Sequence, residues 1–174
     1  MNLCGTNRLA RWLLLGAAAL ESACGANAEV APGDNSVWPA NASAMKLDIE
    51  GSSFAGPWPA GSACLSGAAS FTLAVATRSF AWHECKISQT DPGVYVDGQR
   101  VLAQSEFDGL LVKLRALGVS TREQCGADKP VASLGVTLPN AERDYLDDFY
   151  ACQQRGVYVS GLDDVVVTSR DLAE

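Results

Sequence analysis

The sequence predicts an α+β domain: a small antiparallel sheet of hairpins with two helices, stapled by two disulfides. Three observations carry that expectation. Apolar residues alternate with small or polar ones at Phe71, Leu73 and Val75, and again at Phe80 and Trp82, which is strand periodicity. Phe107, Leu110, Leu111, Leu114 and Leu117 form one apolar stripe at helical spacing. Cys64, Cys85, Cys125 and Cys152 follow an export-like leader, and an even cysteine count in a short exported chain reads as a disulfide framework.

The leader occupies residues 1–28. Arg8 and Arg11 give a positive start, Trp12 to Leu20 is a short apolar run, and Ala26-Asn27-Ala28 offers small residues two apart to a signal peptidase. The run is too short to span a bilayer as a stable helix. A second cleavage pattern overlaps the first. Ser22-Ala23-Cys24-Gly25 resembles a lipobox, in which Cys24 is lipidated and anchors the chain. Both routes stay open, and both place the protein outside the cytoplasm. Removing Arg8, Arg11 and Glu21 with the leader from 13 basic and 20 acidic residues leaves 11 and 19, net −8. Nucleic acid and anionic membrane faces need a basic patch, so neither is an expected partner. Membrane contact is expected only through a lipid on Cys24.

Residues 29–62 read as a flexible linker. The stretch is dense in Ala, Gly, Ser, Asn and Pro, with four of the seven prolines at 32, 39, 57 and 59. Ala44 to Glu50 has the alternation of one short strand, and Trp38 and Trp58 are candidates to dock on the domain. A single α+β domain is expected over 63–174. Its first hairpin turns at Thr77-Arg78. A second is expected from Val94-Tyr95-Val96 through an Asp97-Gly98 turn to Gln99 to Leu102, because that dipeptide suits a two-residue turn. The first helix follows, with Ser105 as cap, Asp108 completing a variant capping box, and Gly118 as a left-handed stop. Strands over 131–138 and 142–150, joined by Pro139-Asn140-Ala141, and a short strand at 157–159 come next. Ser160-Gly161-Leu162-Asp163 opens a last helix with Leu162, Val165, Val166 and Leu172 inward.

Four cysteines allow three pairings. Cys64–Cys85 and Cys125–Cys152 are favoured because each pair brackets one compact stretch. No spacing is CxxC, so neither a zinc ribbon nor a redox dithiol is indicated. The one histidine, His83, stands in a strand between Trp82 and Glu84. A metal site of several histidines is excluded within one chain, HExxH, GxSxG and the P-loop are absent, and no catalytic residue or cofactor is expected. A triad would need a nucleophile and an acid converging on His83. Asp144, Asp147 and Asp148 are the weak metal candidates, since converging carboxylates bind Ca²⁺ or serve a hydrolase. Alternation sends Asp147 and Asp148 to opposite faces.

Residues 105–152 carry a resemblance. An amphipathic helix leads to Cys125, a Pro130-Val131 strand, a hairpin whose return strand bears Tyr145, and a closing Cys152. This resembles the second half of the Streptomyces-type subtilisin inhibitor family, a secreted two-disulfide α+β domain. The resemblance implies a reactive loop at Gly126, Ala127, Asp128 and Lys129, with Ala127 nearest the scissile bond. The family's second disulfide has no counterpart near residues 99–103. The expected function is that of a non-enzymatic, secreted or lipid-anchored bacterial envelope module. It binds a protein or envelope component. A serine protease inhibitor, and a Ca²⁺-dependent module or hydrolase using the Asp cluster, are the alternatives.

Overall fold

The strand that organises the sheet comes from the segment expected to be a linker. In the computed structural model, residues 36–51, 59–64, 67–88, 91–121, 129–149, 151 and 156–174 are described, and all belong to one compact unit. Strand β1 (Ala44–Glu50) alternates Met45, Leu47 and Ile49, all buried, with Lys46 and Asp48 on the other face. It pairs antiparallel with β2 (Ala69–Ala74) on one side and with β6 (Val131–Leu138) on the other. Val37 and Trp38, just upstream, are also buried in the core. The linker over 29–62 and the domain start at 63 are therefore corrected where the stretch is described: residues 36–51 and 59–62 belong to the folded unit, and Val37, Trp38, Met45, Leu47 and Ile49 lie in its core, while Trp58 lies outside the described residues. The average composition of 34 residues masks a seven-residue amphipathic strand, and Leu47, with no exposed surface, contributes burial that no tether has.

The expected first hairpin forms between β2 and β3 (Ser79–Lys86), with Arg78 in the left-handed region at its turn (φ 55). Its inner face is aromatic: Phe71 and Phe80 stack with ring centroids 6.0 Å apart, and Trp82 lies 6.1 Å from Phe80. The expected second hairpin does not form. Val94–Val101 is one continuous strand, β4, paired with β3 along its length.

Helix α1 (Gln104–Arg115) buries the predicted stripe of Phe107, Leu110, Leu111 and Leu114, with Leu117 beyond its end. Its cap is not Ser105 and Asp108. Ala103 is the N-cap residue, and the Glu106 carboxylate accepts the Ala103 N–H at 2.8 Å, satisfying a backbone donor that an alanine side chain has no means to reach. Gly118 is not a left-handed stop either: the helix ends through right-handed Ala116, and Gly118 begins β5 (Gly118–Val119). A glycine in the left-handed region does stand beside a helix, but at the start of the second one: Gly161 (φ 88) is the N-cap residue of α2 (Leu162–Asp171).

β6 and β7 (Ala141–Asp147) form the expected hairpin, with the return strand ending at Asp147. β8 (Val157–Ser160) pairs parallel with β7 and antiparallel with β5. Among the described residues the sheet has eight strands, in the order β4-β3-β2-β1-β6-β7-β8-β5. Sheet residues such as Leu47, Phe71, Phe80 and Leu134 share one buried cluster with Leu110 and Leu114 of α1 and Leu162 and Val165 of α2. Helices thus cover one face of the sheet, while the face carrying Lys46, Thr72, His83 and Asp144 meets solvent.

Cys64 and Cys85 are joined, with Cα atoms 5.8 Å apart, as the spacing suggested. Cys24, Cys125 and Cys152, and with them the lipidation site, the leader and the second disulfide, lie outside the described residues.

Candidate binding edge

A sheet with a fixed strand order has two edges, and here they differ sharply. One edge is β5, two residues long. The other is β4, eight residues with the sequence Val-Tyr-Val-Asp-Gly-Gln-Arg-Val. β-Branched and aromatic residues favour the extended state at Val94, Tyr95, Val96 and Val101. The register against β3 runs without a bulge from Ser79↔Val101 to Lys86↔Val94. Val94, Tyr95, Val96 and Val101 are 52%, 44%, 40% and 63% exposed.

Gly98 explains why the Asp-Gly pair sits mid-strand. It lies opposite Trp82, whose ring covers the space a side chain would occupy: a Cβ there would stand 2.0 Å from Trp82 Cζ2. The glycine serves a close approach across strands, not a turn. On the solvent face, Tyr95 stacks on His83 with centroids 4.2 Å apart. His83 Nδ1 lies 2.6 Å from Asp97 Oδ1, and Gln99 Nε2 donates to Ser79 Oγ at 2.8 Å. These ties hold β4 against β3 without covering its outer rim.

On the helix side, Arg100 donates to both Glu106 oxygens at 3.1 and 3.0 Å and, through Nε, to the Leu172 carbonyl at 3.0 Å. The edge strand is thereby tied to both helices. The Arg100 hydrogen bonds, then the Ala103 N–H, hold the Glu106 carboxyl below its ordinary value near 4.5. A depressed folded pKa contributes stability that is present above the ordinary value and lost as pH falls through the folded one. Glu106→Gln should accordingly weaken the protein at pH 7 and flatten its acid decline below about pH 4.5, as read from chemical denaturation at a series of pH values.

The start of β4 is clamped by the disulfide segment. Ala63 N–H donates to the Gly93 carbonyl at 2.7 Å, and Gly93 N–H donates to Ser62 Oγ at 2.9 Å. Gly93 is buried against Cys64, where a Cβ would meet the Cys64 carbonyl oxygen at 2.8 Å.

The residues singled out from sequence sit elsewhere. Ser70, His83 and Asp97 do fall in one register row across β2, β3 and β4. The His83 ring is bonded to Asp97 and stacked on Tyr95, both of β4. Asp144 is exposed on the solvent face beside Gly135. Asp147 is buried and bonds Lys129 Nζ, and its other oxygen accepts the Phe149 N–H at 3.0 Å. Asp148 accepts from Ser120 Oγ at 2.9 Å. Among the described residues, no group of three or more His, Cys, Asp or Glu side chains is placed to hold a metal ion. The three aspartates do not converge.

Of the predicted loop, Gly126, Ala127 and Asp128 lie outside the described residues. Lys129 is described: its ammonium sits between Asp147 and Asp163, 2.6 Å from the latter and 5.1 Å from the centre of the Phe149 ring. It is fastened inward rather than presented. Burial pushes its pKa down, but hydrogen bonds and charge from Asp147 and Asp163 outweigh that and raise it above 10.5. The pair's stability is therefore full below that value and lost as pH rises through the folded pKa. Lys129→Met should strand the Asp147 carboxylate, cost about 2 kcal/mol, and remove the stability loss above about pH 10.5. Urea unfolding at neutral and alkaline pH reads both.

Comparison with known proteins finds no family model, no curated protein and no solved structure that matches the chain.

Proposed function

We propose that this protein is a non-enzymatic, extracytoplasmic binding module that holds a protein partner by adding an extended strand to β4. The observation behind the reading is the edge itself. Native proteins blunt long edges with Lys, Pro, bulges or shortness. β5 is short, whereas β4 has no Lys, Pro or bulge over eight residues; its two charges, Asp97 and Arg100, are bonded to His83 and Glu106, and four apolar side chains are exposed. Strand addition takes affinity from main-chain hydrogen bonds and specificity from alternate side chains. The disulfide supports an oxidising compartment. No helix among the described residues is long and apolar enough to cross a membrane.

A displayed library of random peptides about ten residues long tests the reading. Selected binders should alternate apolar and polar residues and lose affinity for the Val96→Lys/Val101→Lys double variant. Binders indifferent to those changes would place recognition elsewhere.

One observation favours a second reading. Lys129 fixes the C-terminal base of the 126–129 segment, and a fixed base is what an inhibitory loop needs. Stoichiometric inhibition of a subtilisin-like protease, with slow cutting between residues 126 and 129, would replace the first reading.

A further inference from the structure

We propose that the strand received by β4 is β4 of a second copy, paired antiparallel about a two-fold axis through Gly98; the proposal rests on the binding-edge reading above. A two-fold normal to the sheet keeps solvent face with solvent face, so only like faces meet. Centred on Gly98, Tyr95 stands opposite Val101 of the partner subunit, an aromatic against a β-branched residue. Asp97 stands opposite Gln99 of the partner subunit, an acceptor against an amide donor. At the axis two glycines meet, so no side chains collide there.

Neighbouring registers are worse. Moving the centre to Asp97 sets two carboxylates face to face, which like-charge repulsion opposes. Moving it to Gln99 sets Asp97 opposite Val101 of the partner subunit. Charge points the same way: the chain carries net −7, yet β4 holds one Asp and one Arg and is formally neutral. Two acidic molecules approach most cheaply along that strip. The Arg100 tie to Glu106 and to the Leu172 carbonyl, and the Tyr95 stack on His83, hold the strand in its paired shape before it meets another copy.

A single strand pair buries less than the roughly 1,200–2,000 Å² of a standard interface. The dimer is therefore weak, dissociating on the order of micromolar. Sedimentation velocity of the oxidised full chain over a concentration series reads this directly. Substitutions at position 99 read the register. Gln99→Lys sets an ammonium opposite each Asp97 and should tighten association severalfold at low salt, an effect that fades as salt is added. Gln99→Asp should weaken association by a similar factor. Val96→Lys with Val101→Lys should raise the dissociation constant at least about tenfold. Position 99 is exposed and both variants give up its one surface hydrogen bond, to Ser79, so the opposite outcomes expected for Lys and Asp report the charge facing Asp97 and not the lost bond.

A protein monomeric at every concentration, or an association that ignores all β4 changes, would overturn the proposal. If that monomer still bound displayed peptides through β4, the binding-module reading would survive and only the identity of the partner would fall. If it bound neither, both would fall.

Discussion

Leu47→Ala should destabilise the protein by about 3–4 kcal/mol, and Leu47→Asp should prevent folding. Leu47 has no exposed surface, on a strand hydrogen-bonded on both sides, between Phe71 of β2 and Leu134 of β6. Truncation leaves a cavity that two flanking strands have little freedom to fill. Against a total stability of about 5–15 kcal/mol, that loss is large. Urea denaturation followed by tryptophan fluorescence measures it. A change below about 0.5 kcal/mol, the size expected of a surface or linker position, would return residues 44–50 to the tether and remove the centre of the sheet.

Removing the Cys64–Cys85 bond should cost about 3 kcal/mol through the restored entropy of a 21-residue loop. The effect reaches the binding edge. Cys64 is contiguous with Ser62 and Ala63, which hold Gly93 at the threshold of β4, so Cys64→Ser with Cys85→Ser frees the start of that strand. Partner affinity should fall along with stability. Comparing the oxidised, reduced and double-serine proteins by thermal melts and by peptide binding separates the two effects. Unchanged melting after reduction would show that hydrogen bonds alone fix the 59–64 segment.

How far the sequence was legible depends on whether a residue's reason is local. The α1 stripe is local: its helical spacing alone predicts the buried set, and Phe107, Leu110, Leu111 and Leu114 are buried. The β2–β3 and β6–β7 hairpins are local in the same way. The cap of α1 is less so, because Glu106 reaches back to a backbone N–H that no capping side chain announces, and Arg100 from β4 completes it. Asp97-Gly98 reads as a turn because Asp-Gly is a turn dipeptide. Its reason is the Trp82 ring on another strand, a contact no local window contains.

β1 is visible in the alternation of Met45, Leu47 and Ile49, but the Pro, Gly and Ser around it give the stretch the average composition of a linker. The candidate site was the least legible part. Val94 to Val101 is an edge because β1 and every strand after α1 add to the sheet on the far side of β2 and none beside β4, and strand order is a property of the whole chain. The aspartates illustrate the converse. Asp144, Asp147 and Asp148 crowd together in sequence but divide among solvent, Lys129 and Ser120 in space.

Amide hydrogen exchange across β4 in dilute, oxidised protein tests the central claim most directly. The open edge predicts that alternate amides of residues 94–101, those facing away from β3, exchange rapidly while their neighbours and the amides of 44–50 stay protected. Raising the concentration or adding a bound peptide should then protect them. Uniformly slow exchange along β4 in the dilute sample would contradict the account, because it would mean that the edge is already covered within a single chain.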